Sequence, residues 1–584
     1  MRLKRWHCIA VLFIAVVAAY FFSLSAGFNS VDDLKRITWL DNAGSLNILH
    51  LFFPDGRNYY YRPLVTLTFF FDRDLWDSIA SFIHLENILI HFGSVVLVFL
   101  LTRRVAVAYS ASSLFPALWA ALLFAWHPLA TEAVCWVSGR YDLMACFFLL
   151  LAVWLLLIGL QGGRQFVVML SGVALLMACL SKEVAVFALP GFLWLALFSG
   201  GRKPVLTAIR ERYWALLAPI AAVAIYFLMR HAATARDTGV KTALKGVVSS
   251  GDYDLFDKAR VALKVYGFYF KKLFFPWPLN FGITQISDYY VIAGLILCVG
   301  LLWLIWRRDL LSALALTAFC VLSPALLVVY GKMAWSPIAE RYLYTSIALS
   351  AAPLTLWVTG FFERLTFAKR RPYLVGLFAL LVLFYGTTAQ RAWIWQDNIR
   401  LYRDTAEKSP DFLPAKTELA SALLRRGEEA EAQKILTGMN ASGSVPDYIN
   451  DDLNLAVSYL NGGKPGEARD VLLPLLNKNP KKRFEVLQFL IRTNGQLLSR
   501  SPDPQQKELL QQEIVDWLLE EQRIRPRTFT LYRIGKAYLA LGEKIEALKY
   551  FQRAKVKAPK GSHYYGALNS FIDRLQKENP SHVE

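Results

Sequence analysis

The chain has 584 residues, 55% of them hydrophobic and 19% charged, with 64 Lys and Arg against 45 Asp and Glu for a formal net charge of +19. That mixture excludes a disordered chain, a disulfide scaffold and an ordinary soluble enzyme. Apolar runs such as ALLFAWHPLA, FFLLLAVWLLLIGL and LFALLVLFYG crowd residues 1–390, whereas 411–584 alternates charged and apolar positions. A multi-pass membrane domain over 1–390, a linker over 391–410 and a soluble domain over 411–584 are therefore expected. The six cysteines all lie in the membrane part without C-x-x-C spacing and read as small apolar fillers.

Stretches apolar enough to cross about 30 Å of hydrocarbon at 1.5 Å per residue number about eleven. They cover 8–27, 84–102, 112–126, 142–160, 166–181, 184–199, 214–230, 289–306, 311–330, 342–360 and 372–388. The first follows Arg2, Lys4 and Arg5 and lacks a small-residue cleavage site, so it reads as an uncleaved anchor. With eleven spans, the basic clusters at the N-terminus, Arg103-Arg104, Arg164, Arg202 to Arg212, Arg307-Arg308 and Arg364 to Arg371 all fall on one side. The positive-inside rule makes that side cytoplasmic and the C-terminal domain extracytoplasmic. The net charge is then a topology signal, and no nucleic-acid partner is called for. On the outer side, Leu255 to Phe275 spaces apolar residues helically with Lys258, Lys264, Lys271 and Lys272 between them, as an interfacial amphipathic helix or a plain connector would.

The soluble part repeats itself. From Pro526, the residues Leu531, Ile534, Gly535, Tyr538, Ala547, Phe551, Ala554 and Pro559 fall on the spacing of a 34-residue tetratricopeptide repeat. A second copy reads Leu455, Ala456, Tyr459, Ala468, Leu472, Leu475 and Pro480; a looser third reads Leu419, Ala420, Leu423, Ala432 and Leu436. Small residues stand where two antiparallel helices touch, large ones where repeats stack, and proline where a helix stops. The span 481–525 has a helical but degenerate pattern. Such an array offers a concave surface for a polypeptide, or serves as a structural cap.

Charged residues gather at the outer rim, where their cost points to a site. Asp32 and Asp33 follow the first span. Then come Arg62 in Tyr-Arg-Pro-Leu, His84, Asn87 and His91 on one helical face, His127 with Glu132, Arg140 with Asp142, Lys182-Glu183 at a hairpin tip, and Glu340-Arg341-Tyr342 opening a later span. Read blandly, the aspartates cap a helix, the histidines are satisfied interior polars and Lys182-Glu183 marks a turn. Read together, several carboxylates and several cations form a place for an anionic group beside a general base. That suits transfer of a sugar from a polyprenyl-phosphate donor. Cations neutralise the phosphate, alone or with a divalent metal such as Mg or Mn, and a carboxylate deprotonates the acceptor hydroxyl, with inversion.

The ordered series Asp32-Asp33, Tyr61-Arg62-Pro63-Leu64, His84 through His91, His127 through Asp142, Lys182-Glu183 and Glu340 through Tyr344, ending in tetratricopeptide repeats, resembles the transmembrane and tetratricopeptide-repeat containing O-mannosyltransferases, their bacterial relatives and the wider GT-C class. The resemblance implies an all-α fold, a polytopic helical bundle followed by a repeat solenoid. It implies that one of Asp32 and Asp33 is the catalytic base and that Glu132 and Asp142 belong to a second acidic loop. Arg341, Lys182, Arg140 and Arg62 would meet the lipid-linked phosphate, with His84, Asn87, His91, His127, Glu183, Glu340 and Tyr342 in support. The expected partners are a lipid-linked donor, membrane lipid and a polypeptide acceptor, its Ser or Thr hydroxyls presented by the repeats. Compact loops suit a bacterial inner membrane, with the repeats in the periplasm. The rival readings are a non-catalytic scaffold for envelope assembly and a lipid-carrier transporter, the latter disfavoured because the membrane part shows no internal duplication.

Overall fold

The computed structural model describes residues 4–42, 45–54, 60–109, 114–201, 204–235, 254–331, 336–441, 451–478, 483–558 and 564–578. They form two compact units, Met1–Pro410 and Asp411–Glu584. Among the described residues the chain is helical throughout apart from turns and one isolated bridge between Ile283 and Ile338.

Among the described residues of the first unit, eight helices are long and apolar enough to cross a membrane: Arg5–Ser25, Ala80–Val107, Val137–Gly162, Tyr213–Thr234, Tyr290–Arg307, Leu310–Tyr330, Glu340–Phe362 and Arg370–Trp395. Three shorter apolar helices, Leu114–Ala125, Gln165–Ser181 and Glu183–Phe198, stand where the remaining three spans were expected. A helix is the natural answer for such sequences because it satisfies every interior backbone group within the segment. The Tyr290–Arg307 helix buries only Gly294. A Cβ added there would lie 2.2 Å from the carbonyl oxygen of Leu263, so the missing side chain is what lets this helix meet Leu255–Phe274.

Two expectations change in detail. Leu255–Phe274 is one helix, but Lys272 in its last turn is buried and ion-paired instead of lying in an interface. Residues 391–410, expected as a linker, carry the end of the Phe367–Trp395 helix and a further helix, Asn398–Lys408, and both lie in the first unit.

The second unit is a series of helix pairs: Leu413–Arg426 with Glu429–Ala441, Asp451–Asn461 with Pro465–Lys478, Arg483–Arg500 with Pro504–Ile524, and Thr528–Ala540 with Lys544–Lys557, followed by Tyr565–Glu578. The repeat-signature positions Leu531, Ile534, Ala547, Phe551 and Ala554 are buried, as are Ala456, Ala468, Leu472 and Leu475, and Leu419, Ala420, Leu423, Ala432 and Leu436. Pro480 and Pro559 lie outside the described residues. The degenerate stretch 481–525 supplies its own helix pair, with Val486, Leu487, Leu490, Val515 and Leu518 in the core shared with the neighbouring pairs. Burial of a continuous stripe along the stack is what holds such arrays together.

Candidate active site

Asn29 opens the local structure. Its side-chain oxygen accepts the Val31 N–H at 2.9 Å and its carbonyl accepts the Asp33 N–H, starting the Asp33–Asn42 helix. Asp33 is buried: one carboxylate oxygen accepts the Asn29 N–H at 3.0 Å, and the other accepts the backbone N–H of Ser138 at 3.0 Å and its hydroxyl at 2.6 Å. Ser138 sits in the single turn Val137–Gly139, which can pass beneath Ala133 only because Gly139 has no side chain; a Cβ there would meet the Ala133 carbonyl oxygen at 2.1 Å. Burial, against these hydrogen bonds, pushes the Asp33 carboxyl up to about 6. Asp32 is the opposite case. It is exposed, and among the described residues its carboxylate makes no hydrogen bond or ion pair.

Three ion pairs neighbour one another. Arg62 forks onto Glu183 at 2.6 and 2.8 Å. Lys182 Nζ lies 2.6 Å from Asp142. Arg341 holds Glu132 twice, through its guanidinium and through its backbone N–H at 3.0 Å. Tyr342 links the last two, with Lys182 5.9 Å and Arg341 5.0 Å from its ring centroid. Burial lowers the Lys182 ammonium from its usual range; Asp142 opposes this, and Arg62 and Arg341 add to it, as three crowded cations must. Burial also raises the Glu132 carboxyl, with Arg341 opposing and Glu340 reinforcing.

Arg140, expected to meet a phosphate, is instead fully enclosed. Its Nε donates to Asn87 at 2.9 Å, one terminal nitrogen to Asp72 at 2.7 Å with Glu86 at 3.1 Å, and the other to the Ile83 carbonyl at 3.1 Å. A guanidinium with its donors engaged this way ties the Pro63–Trp76 and Ala80–Ala108 helices to its own and has no face for a ligand. The histidines are likewise structural. His84 bridges Ser23 and the Gly27 carbonyl, His91 meets the Tyr344 hydroxyl at 2.7 Å, and Asn87 also donates to the Trp136 carbonyl at 3.0 Å. His127 accepts the Leu129 N–H and faces the Leu273 carbonyl at 3.2 Å; burial lowers it to about 4, so it stands as a neutral imidazole with its proton on Nε2. Glu340 belongs to a separate buried pair with Lys272 at 2.7 Å and also accepts the Asn280 N–H.

Several contributors were not singled out from sequence. Ser138 anchors Asp33, and Asp72 balances Arg140. Tyr402 donates to the Asn29 side chain at 2.9 Å and bonds Ser30 at 2.8 Å, while Asn398 donates to the Phe28 carbonyl, so the Asn398–Lys408 helix clamps the loop that presents Asp32. None of these carries a local sequence signal. Among the described residues no group of three or more His, Cys, Asp or Glu side chains gathers closely enough to hold a metal ion, and Glu183, Asp142, Glu132 and Glu340 each face a cation instead.

An apolar helical bundle that carries an exposed carboxylate and a cluster of ion pairs, followed by a repeat stack, defines a helical membrane protein of the multi-span, repeat-bearing class. The tetratricopeptide repeat model matches residues 529–561. Protein O-mannosyl-transferase TMTC1 of Homo sapiens is 40% identical over 92 residues, 16% of this chain and 10% of that protein. Protein O-mannosyl-transferase TMTC2 of Mus musculus is 34% identical over 149 residues, 23% and 17% of the two chains, and TMTC3 of Mus musculus 36% over 154 residues, 24% and 16%. The matched part therefore spans less than a fifth of each relative's length. Over those stretches the chain is similar to the transmembrane and tetratricopeptide-repeat O-mannosyltransferase family, as the ordered motifs imply.

Proposed function

We propose that this protein is a membrane glycosyltransferase that moves a sugar from a polyprenyl-phosphate-linked donor onto an extracytoplasmic hydroxyl, a Ser or Thr of a polypeptide recruited by the repeats. The observation that carries the reading is the contrast between Asp32, exposed and unengaged, and the paired cations Arg62, Lys182 and Arg341. Asp32 takes the proton of the acceptor hydroxyl. The acceptor oxygen forms its bond to the anomeric carbon as the bond from that carbon to the phosphate oxygen breaks, and the electron pair leaves with the phosphate. Arg62, Lys182 and Arg341 stabilise that charge by exchanging part of their hold on Glu183, Asp142 and Glu132 for phosphoryl oxygens, which suits guanidinium forks in particular. Asp33 holds the loop and does not titrate with the substrate. The names of the relatives support a protein acceptor, and the basic loops support a cytoplasmic N-terminus and repeats on the far side of the bacterial inner membrane.

Mass spectrometry of extracytoplasmic proteins from cells lacking the gene, restored with either the unsubstituted chain or Asp32→Asn, tests this. A glycan that returns with the first and stays absent with the second is expected. Its return with both would remove Asp32 from the chemistry.

A further inference from the structure

Arg62, Lys182, Arg341 and Arg140 each face a carboxylate. Arg36 does not. Among the described residues its guanidinium has no hydrogen-bond or ion-pair partner, yet it is not loose in solvent. It is held against three aromatic faces, 5.5 Å from the Tyr141 ring centroid, 5.7 Å from Phe69 and 5.7 Å from Trp39. Tyr141 carries a second guanidinium, that of Arg62, at 4.7 Å. One ring thus joins the engaged cation of the ion-pair cluster to the unengaged one, and Arg36 lies on the helix that begins beside Asp32.

Stacking restrains a guanidinium through its face and leaves the in-plane N–H donors at its edge unspent. A part-buried cation fixed in that way, with no anion supplied by the chain, is a place for an anion supplied by a ligand. We propose that Arg36 is a further substrate-binding residue, donating through its free edge to a phosphoryl oxygen of the lipid-linked substrate on the Asp32 side of the site. The inference rests on the glycosyltransferase reading for the identity of the lipid. It adds a cation that can engage phosphate without first releasing a carboxylate, whereas Arg62, Lys182 and Arg341 must share theirs.

The test is binding of undecaprenyl phosphate, against undecaprenol as the uncharged control, to the full-length protein in nanodiscs. Arg36→Gln removes the guanidinium and its charge and keeps a shorter polar side chain. It should weaken undecaprenyl phosphate about tenfold or more, as loss of a charge-assisted hydrogen bond does, and leave undecaprenol unchanged. Arg36→Lys, which keeps the charge but not the planar fork, should fall between the two and serves where Arg36→Gln fails to assemble. An undiminished preference for the phosphate lipid in Arg36→Gln overturns the assignment, as does equal loss of both lipids, which would mean a purely structural arginine. If the unsubstituted protein itself does not prefer the phosphate lipid, the lipid-donor reading falls, and this inference with it.

Discussion

Asp33 and Ser138 are joined twice, by the backbone N–H at 3.0 Å and the hydroxyl at 2.6 Å, both on one carboxylate oxygen. This pair of hydrogen bonds between residues 105 positions apart separates two aspartates that are indistinguishable in sequence. Asp33 is bound into the fold, and Asp32 is left exposed, which is why the proposed chemistry is placed on Asp32.

The two substitutions should therefore fail differently. Asp32→Asn is expected to leave folding intact and lower transfer by the 10²–10⁴-fold typical of a lost general base. Asp33→Ala leaves buried donors on Asn29 and Ser138 without a partner and should lower stability by about 1–3 kcal/mol. Thermal unfolding and transfer measured on both variants check this; a cold, active Asp33→Ala protein with unchanged unfolding would contradict it.

The same burial makes a pH prediction. Because folding raises Asp33 to about 6, the folded chain binds that proton more tightly than the unfolded chain does. The contribution to stability is fully present below about pH 4, declines as pH rises towards 6 and is gone above it; two pK units correspond to about 3 kcal/mol. The stability difference between the unsubstituted chain and Asp33→Asn should shrink over that window and stay flat above it. A difference independent of pH would show that Asp33 keeps an ordinary proton affinity.

Tyr402 tests positioning without touching the reacting atoms. Tyr402→Phe removes one hydroxyl from the Asn29 and Ser30 clamp while Val31 still holds the Asn29 side chain. A bond worth about 1 kcal/mol predicts a loss of about fivefold in kcat with the KM for donor unchanged. A change confined to KM would instead place Tyr402 in binding.

Lys272 and Glu340 are both almost completely buried, with the ammonium also bonded to the Pro276 and Pro278 carbonyls. Lys272→Met strands a carboxylate in the interior and should cost about 3–5 kcal/mol, seen as a lower melting temperature or loss of folded yield. Adding Glu340→Gln should recover a large part of that loss, since no unpaired charge remains. An additive double variant would argue that the pair is not coupled.

What the sequence determined by itself was everything written in local periodicity. Eleven apolar stretches predict eleven helices because span length and composition decide membrane insertion without reference to neighbours, and the repeat spacing around Leu531 and Phe551 fixes which residues meet inside each helix pair. The ordered polar motifs also supplied the residues of the three neighbouring ion pairs, since charge at the rim of a bundle is costly wherever it occurs. Only the tertiary structure decided roles among those charges. Arg140 and Arg62 look equivalent in sequence, yet Asp72, Asn87 and the Ile83 carbonyl enclose the first, while the second lies between Tyr60 and Tyr141. Asp32 and Asp33, adjacent in the chain, differ because a turn more than a hundred residues away reaches only one of them. The physical reason is common to both cases: the availability of a charged group depends on which distant donors and acceptors folding brings against it, and no window of sequence contains them.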